Sequence, residues 1–329
     1  MKRIAQTRSF TSLIDSDCIY IDKTKEISSL LMHERVFISR PRRFGKSLLL
    51  DTIGTLFEYG TEPYFHGTWI YDKWKEKKYP VLRISFLRFS CTDYGNFCRD
   101  FDRCIAGFAR LHGIDYVSQD RPASSMSELF DLLEINKVKI VILIDEYDAQ
   151  LAANINNPEL YECFRTAIRE FYSVIKDELL IKFIGITGVT RLKDVSVFSV
   201  GSDIHDASYD ADVATITGFT GEEIRKYYAD YIDLAVSLEK GIAEENVTEE
   251  QRGELIDRLA ENYNGYCFDE TNKAKVFSTW SVSSFFFELY RKRFVCFGEY
   301  WYENGGRPTI LLNYLKSHTF DISSYTGCI

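Results

Sequence analysis

Ser39-Arg-Pro-Arg-Arg-Phe-Gly-Lys-Ser47 follows the apolar, β-rich run Arg35–Ser39 and leads into the amphipathic stretch Lys46–Tyr59. Its last three residues are the Gly-Lys-Ser that closes a Walker A loop, here in the strand–loop–helix context the motif requires. Gly45 lets the backbone turn its N–H groups toward an anion at the helix amino terminus. Lys46 supplies a point charge for terminal phosphates, and the Ser47 hydroxyl suits magnesium. In the general pattern G-x-x-x-x-G-K-S the first glycine falls at position 40, where this chain has Arg40. The loop must then leave the strand without a glycine, with the fixed φ of Pro41 in its place. Arg40, Arg42 and Arg43 crowd cations onto the loop, which favours a polyanion without specifying one. Together with Phe44 and Leu48 they make 40–48 the candidate phosphate-binding segment. A bare Gly-Lys-Ser would read as a surface tripeptide; the flanking strand and a second motif weigh against that.

That second motif is Ile140-Val-Ile-Leu-Ile144 running into Asp145-Glu-Tyr-Asp148. A buried strand ending in Asp-Glu has the form of a Walker B motif, in which Asp145 holds the magnesium shell and Glu146 orients the attacking water. Adjacent carboxylates at the end of an apolar strand are costly unless metal or solvent meets them. For Asp148 two readings stand, a contact to magnesium or the cap of a helix beginning near Ala149. Downstream, Leu179–Thr187 continues into Gly188-Val-Thr-Arg191. In sheet-based ATPases a polar residue ending the strand beside Walker B senses the γ-phosphate. Thr187 or Thr190 fits that place and Arg191 the same edge, with a turn role as the plain alternative for each.

Short β-rich runs alternate with amphipathic stretches through about residue 215, the pattern of a parallel α/β sheet flanked by helices. Strands are expected at 35–39, 80–86, 138–144 and 179–187, with helices at 46–59, 94–111, 125–136 and 158–176. After Ile216 the pattern turns mostly helical: Thr220 and Glu223 form a capping box opening a helix through Tyr231, followed by helices at 249–263, 280–293 and 309–317. This divides the chain into residues 1–215, an α/β unit, and residues 216–329, a helical lid. The aromatic cluster Phe285-Phe-Phe287 and Tyr300-Trp-Tyr302 reads as lid core.

Composition narrows the function classes. Of the 329 residues 45% are hydrophobic and 15% aromatic, enough for a sizeable core and incompatible with a disordered chain. A formal charge of −9 leaves no whole-chain basic footprint for nucleic acid. The eight cysteines form no C-x-x-C pair and no zinc spacing. Met1–Phe10 is polar and basic without an apolar run behind it, and no stretch approaches the roughly 20 apolar residues needed to span a bilayer. The expectation is a cytoplasmic protein with reduced cysteines and no membrane partner. The chain stops at Thr326-Gly-Cys-Ile329 without an evident terminal element, which suggests a missing carboxy-terminal region.

These motifs together resemble the bacterial AAA-ATPase-like family, whose members often carry a PD-(D/E)XK nuclease-like domain at the carboxy terminus. The resemblance begins at Tyr20-Ile-Asp-Lys-Thr24 and continues through Ile38–Leu48, Leu143–Asp148 and Thr187–Arg191. It extends into Tyr263–Phe268, Trp280-Ser-Val282 and the stretch 300–309. In that family arginine is the expected residue at position 40. The resemblance implies a P-loop NTPase core of RecA/AAA-like type followed by a helical lid, with ATP and Mg²⁺ as cofactors. Tyr20 is then a candidate to stack on the base, beside the plainer reading of a packed tyrosine with Asp22 or Thr24 capping the next helix. No acidic-x-Lys strand with an upstream aspartate follows residue 216, so nuclease activity does not transfer. A DNA or protein partner through an absent domain, an oligomer, a non-hydrolysing nucleotide switch and a nucleic-acid module stay open at this point.

Overall fold

The computed structural model describes residues 1–176, 178–191 and 203–300. Its centre is a five-stranded parallel sheet in the order β2-β3-β4-β1-β5. The strands are β1 (Arg35–Ser39), β2 (Val81–Ser85), β3 (Ile140–Asp145), β4 (Ile181–Gly188) and the short β5 (His205–Asp206). All adjacent pairs run parallel, and the register sets Ser39 opposite Gly188 and Ser85 opposite Asp145. The polar ends of β1, β3 and β4 therefore emerge on one rim.

The alternation along β3 shows why its apolar run needs cover on both sides. Ile140, Ile142 and Ile144 join a core with helices α4 (Tyr94–Leu111), α5 (Pro122–Asn136) and α7 (Pro158–Ile175). Val141 and Leu143 face the opposite core, built on α2 (Thr24–Leu30) and α3 (Lys46–Tyr59). Helix α5 begins at Pro122 instead of Ser125, because proline is pre-set for the first helical turn. The chain leaves β1 toward β2 across β4 and β3, but leaves β4 toward β5 across β1. Such a reversal, outside the carboxyl ends of the strands, is where open α/β sheets bind ligands.

A second core forms after Ile216 from helices Gly221–Tyr227, Ala229–Lys240, Glu249–Tyr263 and Thr279–Lys292. Capping boxes start two of them, Thr220 with Glu223 and Thr248 with Gln251. The helix expected to run through Tyr231 instead breaks at Tyr228 (φ −110°, ψ 17°) and resumes to Lys240. The break lets Tyr228, Tyr231 and Phe286 pack in one aromatic cluster. A small antiparallel ribbon, Tyr266–Cys267 with Lys275–Val276, went unread in the sequence. Phe285 and Phe286 are buried lid core, while Phe287 is exposed. The helix expected at 309–317 and most of the aromatic group 300–302 lie outside the described residues. Two elements tie the lid to the sheet unit: Ile21 is buried within the lid core, and Phe44 of the loop packs on Phe268 and Val276.

Candidate functional site

The loop between β1 and α3 turns at two left-handed residues, Arg43 (φ 69°) and Gly45 (φ 83°). Position 40 is not one of them, which is why an arginine is tolerated where the general motif has glycine. For Arg43, a non-glycine, this conformation costs on the order of 1–3 kcal/mol. Contacts to the lid hold it: the Thr279 hydroxyl donates to the Arg43 carbonyl at 2.8 Å, and the guanidinium lies 4.1 Å over the Trp280 ring.

Lys46 is buried (3% exposed), and its Nζ donates to the carbonyls of Arg40 and Pro41 at 3.0 Å each. It also pairs with Glu146 Oε1 at 3.4 Å. Glu146 takes a left-handed φ of 53°, again unusual for a side chain of its size. Strain of that kind clusters where residues must be aimed, and here it accompanies a carboxylate that meets the loop lysine. Behind this pair the Ser47 hydroxyl donates to Asp145 Oδ2 at 2.6 Å, and the Thr187 hydroxyl to Asp145 Oδ1 at 2.7 Å. Asp145 is thus aligned by one group from each flanking segment.

The structure brings Lys46, Ser47, Asp145, Glu146 and Thr187 together across the ends of β1, β3 and β4. It removes Arg40 from the ligand side. That side chain is 1% exposed, donates to the Ser39 and Ser208 carbonyls and to Thr217 Oγ1, and lies 4.1 Å over the Phe268 ring. Burial lowers its pKa to about 10. Arg40 is therefore a brace between the sheet rim and the lid ribbon: its Nε and Nη1 donate to buried acceptors on Thr217, Ser39 and Ser208, while Nη2 is buried without a hydrogen-bond partner. Asp148 stands at the N-cap position of the helix Ala149–Ala153 as expected, but its side chain makes no cap hydrogen bond there; its carboxylate accepts from the backbone N–H groups of Val189 and Thr190. Arg191 stacks 4.0 Å over Tyr209. Arg42 is exposed, and Pro41 contributes its carbonyl to Lys46.

A cavity opens in front of Lys46 and Ser47. The loop residues Arg43–Leu48, Glu146, Tyr20 and the lid residues Thr279 and Trp280 line it, as do the amino-terminal residues Ile4–Arg8. Tyr20 packs edge-on against Phe10 at 4.8 Å, and burial raises its hydroxyl pKa. The amino-terminal and lid walls were not read from the sequence as site residues. Spacing offered no signal, because tertiary packing alone brings residues 4–8 and 279–280 to the loop.

The Tyr20–Thr24 segment fastens the lid as well as lining the cavity. Asp22 accepts from the N–H groups of Thr24 and Trp69, and Lys23 donates to both Glu223 oxygens at 2.6 and 2.7 Å. Burial lowers the Lys23 pKa while the Glu223 charge opposes that shift. Removing one partner of so enclosed a pair strands the other, so Lys23→Met is expected to cost roughly 3 kcal/mol. Urea denaturation measures it, and an unchanged midpoint would show that this strap stabilises nothing.

A family model described as a predicted AAA-ATPase matches residues 5–198 of the chain. The protein belongs to the AAA-ATPase-like family. It is also 31% identical over 306 residues to an uncharacterized protein in the vnfD 5′ region of Azotobacter chroococcum mcd 1. That alignment covers 91% of this chain and 53% of the relative, so the chain spans about half the relative's length. Family membership points to nucleotide binding. Among the described residues no helix is long and apolar enough to cross a membrane.

Proposed function

We propose that the chain is a P-loop ATPase that binds ATP in the cavity in front of Lys46 and hydrolyses it with Mg²⁺. The observation that carries the reading is the Ser47–Asp145 contact at 2.6 Å beside the Lys46–Glu146 pair at 3.4 Å. Lys46 and the Ser47 oxygen then stand at one helix amino terminus, with the Asp145 and Glu146 carboxylates facing them from the end of β3.

The donor set suits magnesium, which keeps several waters and takes only one or two protein ligands alongside phosphate oxygens. Ser47 Oγ and Asp145 Oδ2 are the groups that would hold it. An ion held there would supply neutralising charge to the phosphate oxygens. Lys46 exchanges its loop carbonyls for the β- and γ-phosphates. Glu146, released from Lys46, orients a water and accepts its proton. Thr187 holds Asp145 in line through its hydroxyl.

The lid is the element that turnover moves. Arg43 joins the loop to Thr279 and Trp280, so a change in the loop is felt at the start of the lid helix. That motion serves a protein or DNA partner, or a further domain of the kind a longer relative has room for.

Ser47→Ala tests the metal assignment. It removes one ligand and leaves Asp145 without its 2.6 Å donor, so the Mg²⁺ concentration giving half-maximal ATP turnover is expected to rise about tenfold, corresponding to ~1.4 kcal/mol. An unaltered magnesium dependence would remove Ser47 from the metal shell.

A further inference from the structure

Arg8 lies outside every motif of the phosphate loop, yet it lines the same cavity as Lys46 and Ser47. It reaches the cavity because residues 4–8 form one wall of it, just ahead of the Ser9-capped helix Phe10–Asp15. That short helix is fixed in turn by Asp51 of α3, whose carboxylate accepts from the Phe10 N–H at 2.7 Å. The amino-terminal wall is therefore tied to the helix that begins with Lys46.

The cavity's charges are unevenly matched. Lys46 meets Glu146 and Lys23 meets Glu223, each within one ion pair. Arg8 is exposed, makes no hydrogen bond or ion pair among the described residues, and shares the cavity lining with Arg43. Burial and then the Arg8 charge lower the Arg43 pKa. An uncommitted guanidinium on a cavity wall suits phosphate oxygens, which its planar set of donors matches in geometry.

We infer that Arg8 is a phosphate-binding residue, holding the nucleotide's phosphate chain from the amino-terminal wall of the cavity. This rests on the nucleotide reading above and adds a second, non-loop contact to it. The amino-terminal wall then closes on ligands with a phosphate chain in preference to the nucleoside alone. An exposed arginine that gains a charge-assisted contact only when ligand is present contributes to affinity and little to folding.

The test compares Arg8→Gln and Arg8→Lys with the parent chain by calorimetric titration of ATP, ADP and adenosine in Mg²⁺. Arg8→Gln is expected to weaken ATP about tenfold, ~1.4 kcal/mol, ADP by less, and adenosine not at all. Arg8→Lys should restore part of the loss, and the ATP affinity of Arg8→Gln should fall less steeply with salt. Equal weakening of all three ligands would make Arg8 a packing residue, and unchanged ATP affinity would remove it from the site. Either result overturns the assignment. Weakened binding of a short DNA strand with ATP unaffected would also overturn it, in favour of nucleic-acid phosphate. A parent chain that binds none of the nucleotides would instead defeat the nucleotide reading itself.

Discussion

Glu146→Gln is expected to lower ATP turnover by about 10²–10⁴-fold, the range for loss of a positioned general base. Bound ATP should then persist unhydrolysed. The substitution keeps the shape of the side chain and its backbone, including the left-handed φ of 53° that aims it. What it removes is the charge that meets Lys46 at 3.4 Å and the group that would take a proton from water. Affinity for ATP should hold or rise, because Lys46 no longer has a carboxylate competing with phosphate. Single-turnover hydrolysis and nucleotide retention after gel filtration separate the two effects. Parent-like turnover in the variant would take Glu146 out of the chemistry, and weak binding with no trapping would assign it to holding Lys46 in place.

Gly188→Ala is the second large effect, and it acts on folding before function. A Cβ added there would stand 2.5 Å from Tyr147 Cδ1 and Cε1 and 3.0 Å from Asp148 Oδ1. Tyr147 has nowhere to retreat: it is fully buried, packs edge-on against Phe37 at 5.6 Å and donates from its hydroxyl to the Thr190 carbonyl. Overpacking of this kind costs typically 1–3 kcal/mol. Gly188 follows Thr187, and Tyr147 follows Glu146, so relief of the clash must shift one side of the site. The expected result is a lower thermal midpoint together with reduced turnover. Parent-like stability would mean that the β3 and β4 ends are less tightly apposed than described.

The parts legible in the sequence were those set by local pattern. Strand β1 and helix α3 fall where the apolar run, the Gly-Lys-Ser and the following amphipathic spacing put them. Five consecutive apolar β-formers identified the buried strand before Asp145. What escaped was set by tertiary contact. The burial of Arg40 depends on Ser208, Thr217 and Phe268, none of which is near it in the chain. A basic loop gives no sign of which arginine turns inward. The role of Asp148 depends on the loop after β4, 41 residues further along the chain. Arg8 and Trp280 reach the cavity because the amino-terminal segment and the lid fold over the loop, and no spacing rule connects residues 8, 46 and 280. The Tyr228 break is similar, since its aromatic partner Phe286 comes from the last lid helix.

The central claim is that the cavity in front of Lys46 holds a nucleotide by its phosphates. The most direct measurement is calorimetric titration of Mg²⁺ and ATP into the parent chain and into Lys46→Ala. The account predicts saturable one-to-one binding to the parent and a loss of at least tenfold in the variant, because the buried ammonium that meets the phosphates is gone. No binding to the parent, or equal binding to both, would contradict it.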